Sequence, residues 1–551
     1  MGHHRDHLTV DELGVGAVQD PNVLQVLVLI GVAVVALSFL ARRLGVAPPI
    51  VLLLGGVPLA FVPLLEQVRL PPEVVLLIFL PPLLYWESLT TSLREIRANL
   101  RAVLLSSIVL VLVTAGVVAV VGHALGLSWP VAWVLGAVVA PTDATAVGAV
   151  AGRMPRRPLT TLRAESLIND GTALVVFAIA VQAATGERAF SWGSAVGSFG
   201  LSYAGGAAAG LLAAWLAVRA RRITREPLLD NGISVLTPFA AFLIAEEIHA
   251  SGVLAVVVCG LALSQVGPRI VTARTRLQAF AFWRVATFLL NGTLFVLIGL
   301  QLRGAVQDLG SYSLAKATID ALLVAAAVIG TRLAWVYTVP YVIRAVDRRP
   351  QQRLRRVGAR NRFPIAWAGF RGGVSLAAAL AVPVTLADGS PFPGRDLIIL
   401  VTFGVIVVTT LLQGLTLPAV LRWARMPDDG AEVVEQQLAE RTVAEAGLAA
   451  LPATAARLDV PPEVAARVRA DYEEHLHTLT DPTADPAEDD NGQAEREAYW
   501  RLRAALLADK RRAVVNLRDV GRIDDIVLRR LQARLDAEEV RLTGRTADDE
   551  D

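Results

Sequence analysis

Cysteine is nearly missing from this 551-residue chain: Cys259 stands alone, so no internal disulfide can form. Also missing are His-Glu-x-x-His, Gly-x-Ser-x-Gly and paired aspartates in protease-type flanks, which removes the metal and serine routes to an intramembrane hydrolase; the chain reads as a non-enzyme without a cofactor. His3, His4 and His7 lack the spaced cysteines or carboxylates that a metal site needs, so they read as a solvated tail and no transition metal is expected. A net charge of only +2 gives nucleic acid no footing as a partner. Met1–Asn22 is polar and acidic, not a basic segment followed by an apolar core, so no cleavable signal peptide is expected there and the first apolar run would act as its own insertion signal.

Long apolar runs are abundant. Hydrophobic residues make up 54% of the chain and the mean hydropathy is +0.52. Runs of about 17–25 residues are long enough to span a hydrocarbon core of about 30 Å. They fall at Val23–Leu40, Pro48–Leu65, Glu73–Leu89, Leu100–His123, Trp129–Val150, Leu162–Val181, Ala195–Val218, Ile233–Ile248, Val253–Val266, Phe280–Leu300, Ala315–Ile343, Phe363–Val384 and Leu397–Trp423. The reading is an all-α, polytopic membrane protein of about 13 spans, the eighth and ninth being short.

Arginine sets the topology, because basic loops stay in the cytoplasm. Arg42 and Arg43 follow span 1; Arg94, Arg97 and Arg101 follow span 3; Arg153, Arg156, Arg157 and Arg163 follow span 5. Arg219, Arg221, Arg222 and Arg225 follow span 7, Arg269, Arg274 and Arg276 follow span 9, and eight arginines from Arg344 to Arg362 follow span 11. The even-numbered connections carry only Arg69, Arg188, Arg303, Lys316 and Arg395. An odd number of spans follows, with residues 1–22 outside, a membrane domain over 23–425 and a cytoplasmic tail over 426–551 in a plasma (inner) membrane protein. The tail is charged and alanine-rich, with helical periodicity at Glu432–Ala449, Pro462–Leu479, Ala494–Val520 and Asp524–Leu542 and a linker at Asp481–Gly492. Its plain reading is a dimerisation or stabilising element, its sharper one a regulatory or pH-sensing module.

The chemistry sits in span 6, which carries Glu165, Asn169 and Asp170. A carboxylate at mid-membrane costs about 2.5–3.5 kcal/mol on insertion scales, so such a residue usually handles protons or ions. At about 1.5 Å per residue Asp170 lies about 12 Å into the span. Glu165 and Asn169 share one helix face, Ser166 and Asp170 the adjoining one. Span 5 adds Ala140-Pro141-Thr142-Asp143-Ala144-Thr145, where proline frees backbone carbonyls that only protein, water or an ion can satisfy. Span 12 repeats the interruption with Phe370-Arg371-Gly372-Gly373-Val374-Ser375. Interrupted helices in corresponding positions point to an inverted-repeat transporter with a midplane site, spans 1–6 and 8–13 being the halves.

With Glu165-Ser166-Leu167-Ile168-Asn169-Asp170-Gly171 and His249-Ala250-Ser251-Gly252, these motifs resemble the monovalent cation:proton antiporter family, which holds bacterial sodium/proton antiporters and animal sodium/proton exchangers. The resemblance covers all the spans, and Leu517–Asp525 with Leu535–Glu539 of the tail resemble its bacterial branch. It implies a homodimer, each protomer having a dimerisation domain and a core of spans 4–6 and 11–13 in which spans 5 and 12 are unwound and cross. It implies that Asp170 exchanges a proton for a cation with Asn169 as partner, that Ser166, Asp143 and the Thr142 backbone help coordinate the ion, and that Glu165 pairs with Arg332 as a structural ion pair. The Asn169-Asp170 form implies electroneutral exchange of one proton per cation. Sodium or lithium is the cation the family favours; potassium/proton exchange is the alternative, and a cation channel or sensor on the same fold is a further one.

Elementary chemistry runs the same way. A carboxylate stripped of water must be neutralised, and a proton and a hard monovalent cation can compete for that place; oxygen donors without sulfur or imidazole suit hard cations. Arg371 can neutralise either helix-end carbonyls or the ion site. Glu87 follows Leu80-Pro81-Pro82 one residue later than the family spacing, a turn of about 100° around a helix, and faces either the membrane interface or the cavity. Glu246, Glu247 and His249 form an outer polar cap or a cation funnel, and Gly55, Gly56, Gly205, Gly206 and Gly210 read as close helix packing.

Overall fold

The computed structural model describes residues 21–65, 75–144, 147, 154–186, 191–224, 226–307, 313–346, 358–386, 389–426, 431–480 and 493–548. Residues 1–20, Thr145 of the span 5 motif and the linker at 481–492 lie outside them, as do Arg69, Arg153, Arg188, Arg225 and the five arginines from Arg348 to Arg356.

Helices run in the order the apolar runs predict. Spans 1 and 2 are α1 (Pro21–Leu44) and α2 (Pro48–Leu59), and span 3 is α3 (Leu80–Thr90), entered through a π-turn at Val75–Phe79. A short surface helix, α4 (Leu93–Ala98), leads to span 4, α5 (Leu100–Ala124). Next come α6 (Trp129–Val139), α7 (Arg156–Thr185), α8 (Trp192–Ile223), α9 (Pro227–Glu247), α10 (Gly252–Ile270), α11 (Ala273–Gln307) and α12 (Leu314–Val346). Span 12 is split into α13 (Ala359–Trp367) and α14 (Gly373–Leu380), and α15 (Arg395–Ala424) is span 13. Nine of the described helices are long and apolar enough to cross a membrane alone, while α2 and α6 are shorter apolar pieces. The eighth and ninth spans are longer than their apolar runs because each helix continues at its end through polar residues, Pro227–Gly232 in α9 and Gly267–Ile270 in α10.

The membrane helices sort into two bundles. Helices α5, α6, α7, α12, α14 and α15 pack among themselves, while α1, α2, α3, α8, α9, α10 and α11 form the other group. Close approach in the second bundle depends on small residues, as the sequence predicts. A Cβ on Gly56 would lie 3.0 Å from the Gly299 Cα, and one on Gly206 2.7 Å from the Ser251 carbonyl oxygen. Outward-facing Leu27, Val28, Val32 and Phe39 of α1 are exposed, which suits a lipid-facing surface.

The remaining helices, α16 (Ala431–Arg457), α17 (Pro462–Thr480), α18 (Gln493–Asp519) and α19 (Asp525–Asp548), bury two small apolar cores of their own, one around Val443, Val514 and Leu528 and one around Leu451, Val468 and Leu506. They pack against the face of the membrane helices that carries Arg94, Arg156, Arg269 and Arg276, the arginine-rich connections.

Candidate functional site

Both interrupted helices meet at their breaks. Helix α6 stops at Val139, residues 141–143 are irregular, and helix resumes at Ala144. Between α13 and α14, residues 368–372 are likewise irregular. One backbone hydrogen bond ties the two, the Asp143 N–H donating to the Phe370 carbonyl at 2.8 Å. Such close contact needs glycine: a Cβ on Gly372 would overlap the Asp143 carboxylate, and one on Gly373 would run into Leu294.

Breaking a helix leaves its last carbonyls without partners. Arg371 takes that role, its Nε donating to the Val139 carbonyl at 3.1 Å, its Nη2 reaching the Ala140 carbonyl at 3.5 Å and its Nη1 donating to the Gly369 carbonyl. Of its two possible roles, this geometry is that of a clamp on helix-end carbonyls; the side chain is 1% exposed.

Helix α7 lies alongside. Ser166 Oγ donates to the Thr142 carbonyl at 2.9 Å and accepts from the Ala144 N–H at 3.2 Å, which fixes the irregular strip of span 5. Asn169 Nδ2 donates to Thr142 Oγ1 at 2.7 Å, while its Oδ1, fully buried, has no partner among the described residues. One turn from Ser166, Asp170 is buried and makes no hydrogen bond or ion pair with the described residues. Thr142, Asp143, Ser166 and Asp170 line one cavity of about 50 Å³, the volume of a few waters or a partly hydrated small cation. Glu165, five residues before Asp170, turns away from the cavity and pairs with Arg332 of α12, both side chains being buried. Arg332 also reaches the Ile365 carbonyl at 3.5 Å. The polar residues of α7 thus point two ways, Asn169 and Asp170 toward the break and Glu165 toward α12.

Three residues join them on the cavity wall. Glu87 of α3 and Asn291 of α11 face Asp170 from the other bundle, and Ser375 of α14 lines the cavity with an unpartnered, buried Oγ. Despite its one-residue offset from the Leu80-Pro81-Pro82 motif, Glu87 lines the cavity. Asn291 was legible as a lone amide inside an apolar span; Ser375 belonged to a recognised motif that gave it no role.

A buried carboxylate without a basic partner among the described residues, with a hydroxyl and an amide nearby, has the chemistry to hold a proton or a hard cation. The model of the sodium/hydrogen exchanger transmembrane domain matches residues 29–423. The chain belongs to the sodium/hydrogen exchanger family. An uncharacterised sodium/proton exchanger of Mycobacterium tuberculosis (strain H37Rv) is 49% identical over 522 residues, covering 94% of this chain and 96% of that protein. A sodium, potassium, lithium and rubidium/proton antiporter of Bacillus pumilus is 33% identical over 408 residues, 71% of this chain and 60% of the relative. Among solved structures, the sodium proton antiporter MjNhaP1 of Methanocaldococcus jannaschii at pH 8 superposes with a TM-score of 0.57 at 20% identity, over 73% of this chain and 99% of that one. The exchanger is therefore an integral, multi-pass transporter with the antiporter fold, inverted repeats and crossing interrupted helices included.

Proposed function

We propose that this exchanger moves cytoplasmic sodium or lithium outward against inward protons, one for one, with both competing for Asp170. The observation that carries the reading is Asp170 itself, buried at the crossing of the two breaks with no basic partner within reach. An unpaired buried carboxylate is too costly to move through the membrane charged, so the loaded bundle crosses only when a proton or a cation neutralises it. Thr142, Ser166, Asn169 and Asp143 supply the further oxygens; the Glu165–Arg332 pair holds α7 against α12, and Arg371 fixes the break. Alternating access follows if the bundle holding α5, α6, α7, α12, α14 and α15 moves as a transport core against the second bundle, which serves as the scaffold of a homodimer. The arginine-rich face and the tail then lie in the cytoplasm and the N-terminus outside, in the plasma membrane. Asn169 in place of a second aspartate supports electroneutrality. Potassium is the second reading, favoured by the Bacillus pumilus relative, which is named as an antiporter of potassium among other cations.

Proteoliposomes holding an acid-inside pH gradient test the proposal. External sodium or lithium dissipates the gradient, Asp170→Asn abolishes the response, and clamping the membrane potential changes the rate little. Exchange that survives in Asp170→Asn refutes the site, and a rate that follows voltage refutes the one-for-one stoichiometry. Potassium driving the same Asp170-dependent exchange as well as sodium establishes the second reading.

A further inference from the structure

Helix α7 begins at Arg156, fourteen residues ahead of Asp170, and this arginine is held by the tail. Its Nη2 meets Asp524 at 2.5 Å, its Nη1 meets Glu435 at 3.2 Å, and its Nε lies 3.0 Å from Glu95. Arg156 and Asp524 are nearly sealed, with side-chain exposures of 9% and 1%, while Glu95 and Glu435 sit at the rim at 14% and 20%. Asp524 is fastened from its own side as well. It caps α19 through a bond from the Ile526 N–H at 2.8 Å, accepts from Ser92 Oγ at 2.5 Å, and its backbone N–H donates to Glu435 at 3.2 Å.

The same tail grips the other bundle. Arg529 of α19 donates to the Leu89 and Thr90 carbonyls at the end of α3, Arg276 at the start of α11 pairs with Asp536 through two bonds of 2.6 and 3.1 Å, and Arg518 donates to the Gln265 carbonyl of α10 at 3.2 Å. The tail is thereby bolted to α3, α10 and α11 and reaches across to one residue of the helix that carries Asp170.

We propose that Arg156 is a positioning residue through which the tail restrains the transport core, so that each crossing must break or carry along the Arg156–Asp524–Glu435 cluster. The inference rests on the transport reading above, since it needs the two bundles to move against each other. Separating a buried ion pair leaves a desolvated charge on each side, which is the most expensive way to break such a contact. The tail therefore acts as a brake on turnover and leaves the ion cavity untouched. Its contacts to α3, α10 and α11 stay with the scaffold, so a loosened cluster frees the core without detaching the tail.

The test is the full-length exchanger in proteoliposomes, with Asp524→Asn, which keeps the capping oxygen and removes the charge, and with Glu435→Gln. The double variant raises the maximal exchange rate at least about fivefold, the low end of a typical coupling between sites, with the apparent KM for sodium unchanged; Asp524→Glu restores the slow rate. A maximal rate equal to or below wild type in the double variant overturns the brake, as does a changed KM with an unchanged maximal rate. Should the double variant fail to fold, Arg156→Cys with Asp524→Cys in a Cys259→Ser background, joined by a short bifunctional thiol reagent, decides instead. Exchange stops on cross-linking if the brake is real, and exchange at the uncross-linked rate overturns it. Asp170→Asn run in parallel separates the two claims: if it is dead while the tail variants behave as wild type, the site stands and only the brake falls.

Discussion

Replacing the two members of the Glu165–Arg332 pair, singly and together, separates support from chemistry in α7. Both side chains are nearly sealed from solvent, at 6% and 2% exposure, and among the described residues the Arg332 guanidinium's other bond is the long one of 3.5 Å to the Ile365 carbonyl. Glu165→Gln thus strands a guanidinium in a dry bundle, and Arg332→Met strands a carboxylate. Each costs about 3–5 kcal/mol, the usual penalty for breaking a buried pair from one side. The double variant removes both charges and leaves methionine to fill the arginine's volume, so it recovers most of that loss, and the coupling energy of the cycle exceeds the cost of either single variant. Denaturant titration of the purified exchanger in detergent micelles gives the four stabilities, and proteoliposome exchange gives four rates. The double variant keeps exchange within about tenfold of wild type, a loss of less than about 1.4 kcal/mol in the transition state. If it is as unstable as either single variant, or stable but unable to exchange, the pair is part of the ion machinery and the division drawn here fails.

Two further outcomes follow from the geometry. Gly372→Ala pushes a methyl group into the Asp143 carboxylate and parts the two breaks; exchange falls at least about a hundredfold, as a misplacement of about 1 Å can cost, while Gly330→Ala, at a site with open space around it, stays near wild type in the same assay. The second concerns Glu95, in the connection outside the membrane, whose carboxyl is pushed up from its ordinary value by burial against the opposing pull of Arg156. A carboxyl raised in the folded state binds its proton there before the unfolded chain does, so its contribution is complete below about pH 4.5 and is lost as pH rises through the folded value. Thermal melts between pH 7 and 4.5 therefore fall more steeply on acidification for Glu95→Gln than for wild type; parallel curves for the two refute the assignment.

Much of this was legible in the sequence because membranes impose few solutions. Span count and order follow from apolar length, and the arginine alternation orders the connections. Pro141 and Gly372-Gly373 mark the breaks, Pro141 by its missing donor and Gly372 because a Cβ there would meet the Asp143 carboxylate, although prolines such as Pro238 and Pro418 lie inside unbroken helices. What periodicity alone could not give was direction around each helix axis. Glu87, one residue late on its helix, nonetheless lines the cavity, a placement that a count of residues left open. Arg371 carried two readings in the sequence, and only the fold sets its guanidinium on the Val139, Ala140 and Gly369 carbonyls. The grip of Asp524 and Asp536 on the membrane helices was also hidden, because an acidic residue in a charged tail looks solvated until its partner hundreds of residues away is known.

The bond from the Asp143 N–H to the Phe370 carbonyl, with Arg371 laid across the neighbouring helix end, ties the two interrupted helices together beside the Asp170 cavity. A riveted crossing cannot open on one side and close on the other by changing its own shape. Thr142, Asp143, Ser166 and Asp170 thus hold their spacing to one another as a unit, whereas Glu87 and Asn291, carried by the other bundle, are the wall residues whose distance to Asp170 a relative movement of the bundles would change. On the exchange proposed above, the sign of net flux is left to the combined cation and proton gradients, as for any carrier whose two ions must take turns at one carboxylate.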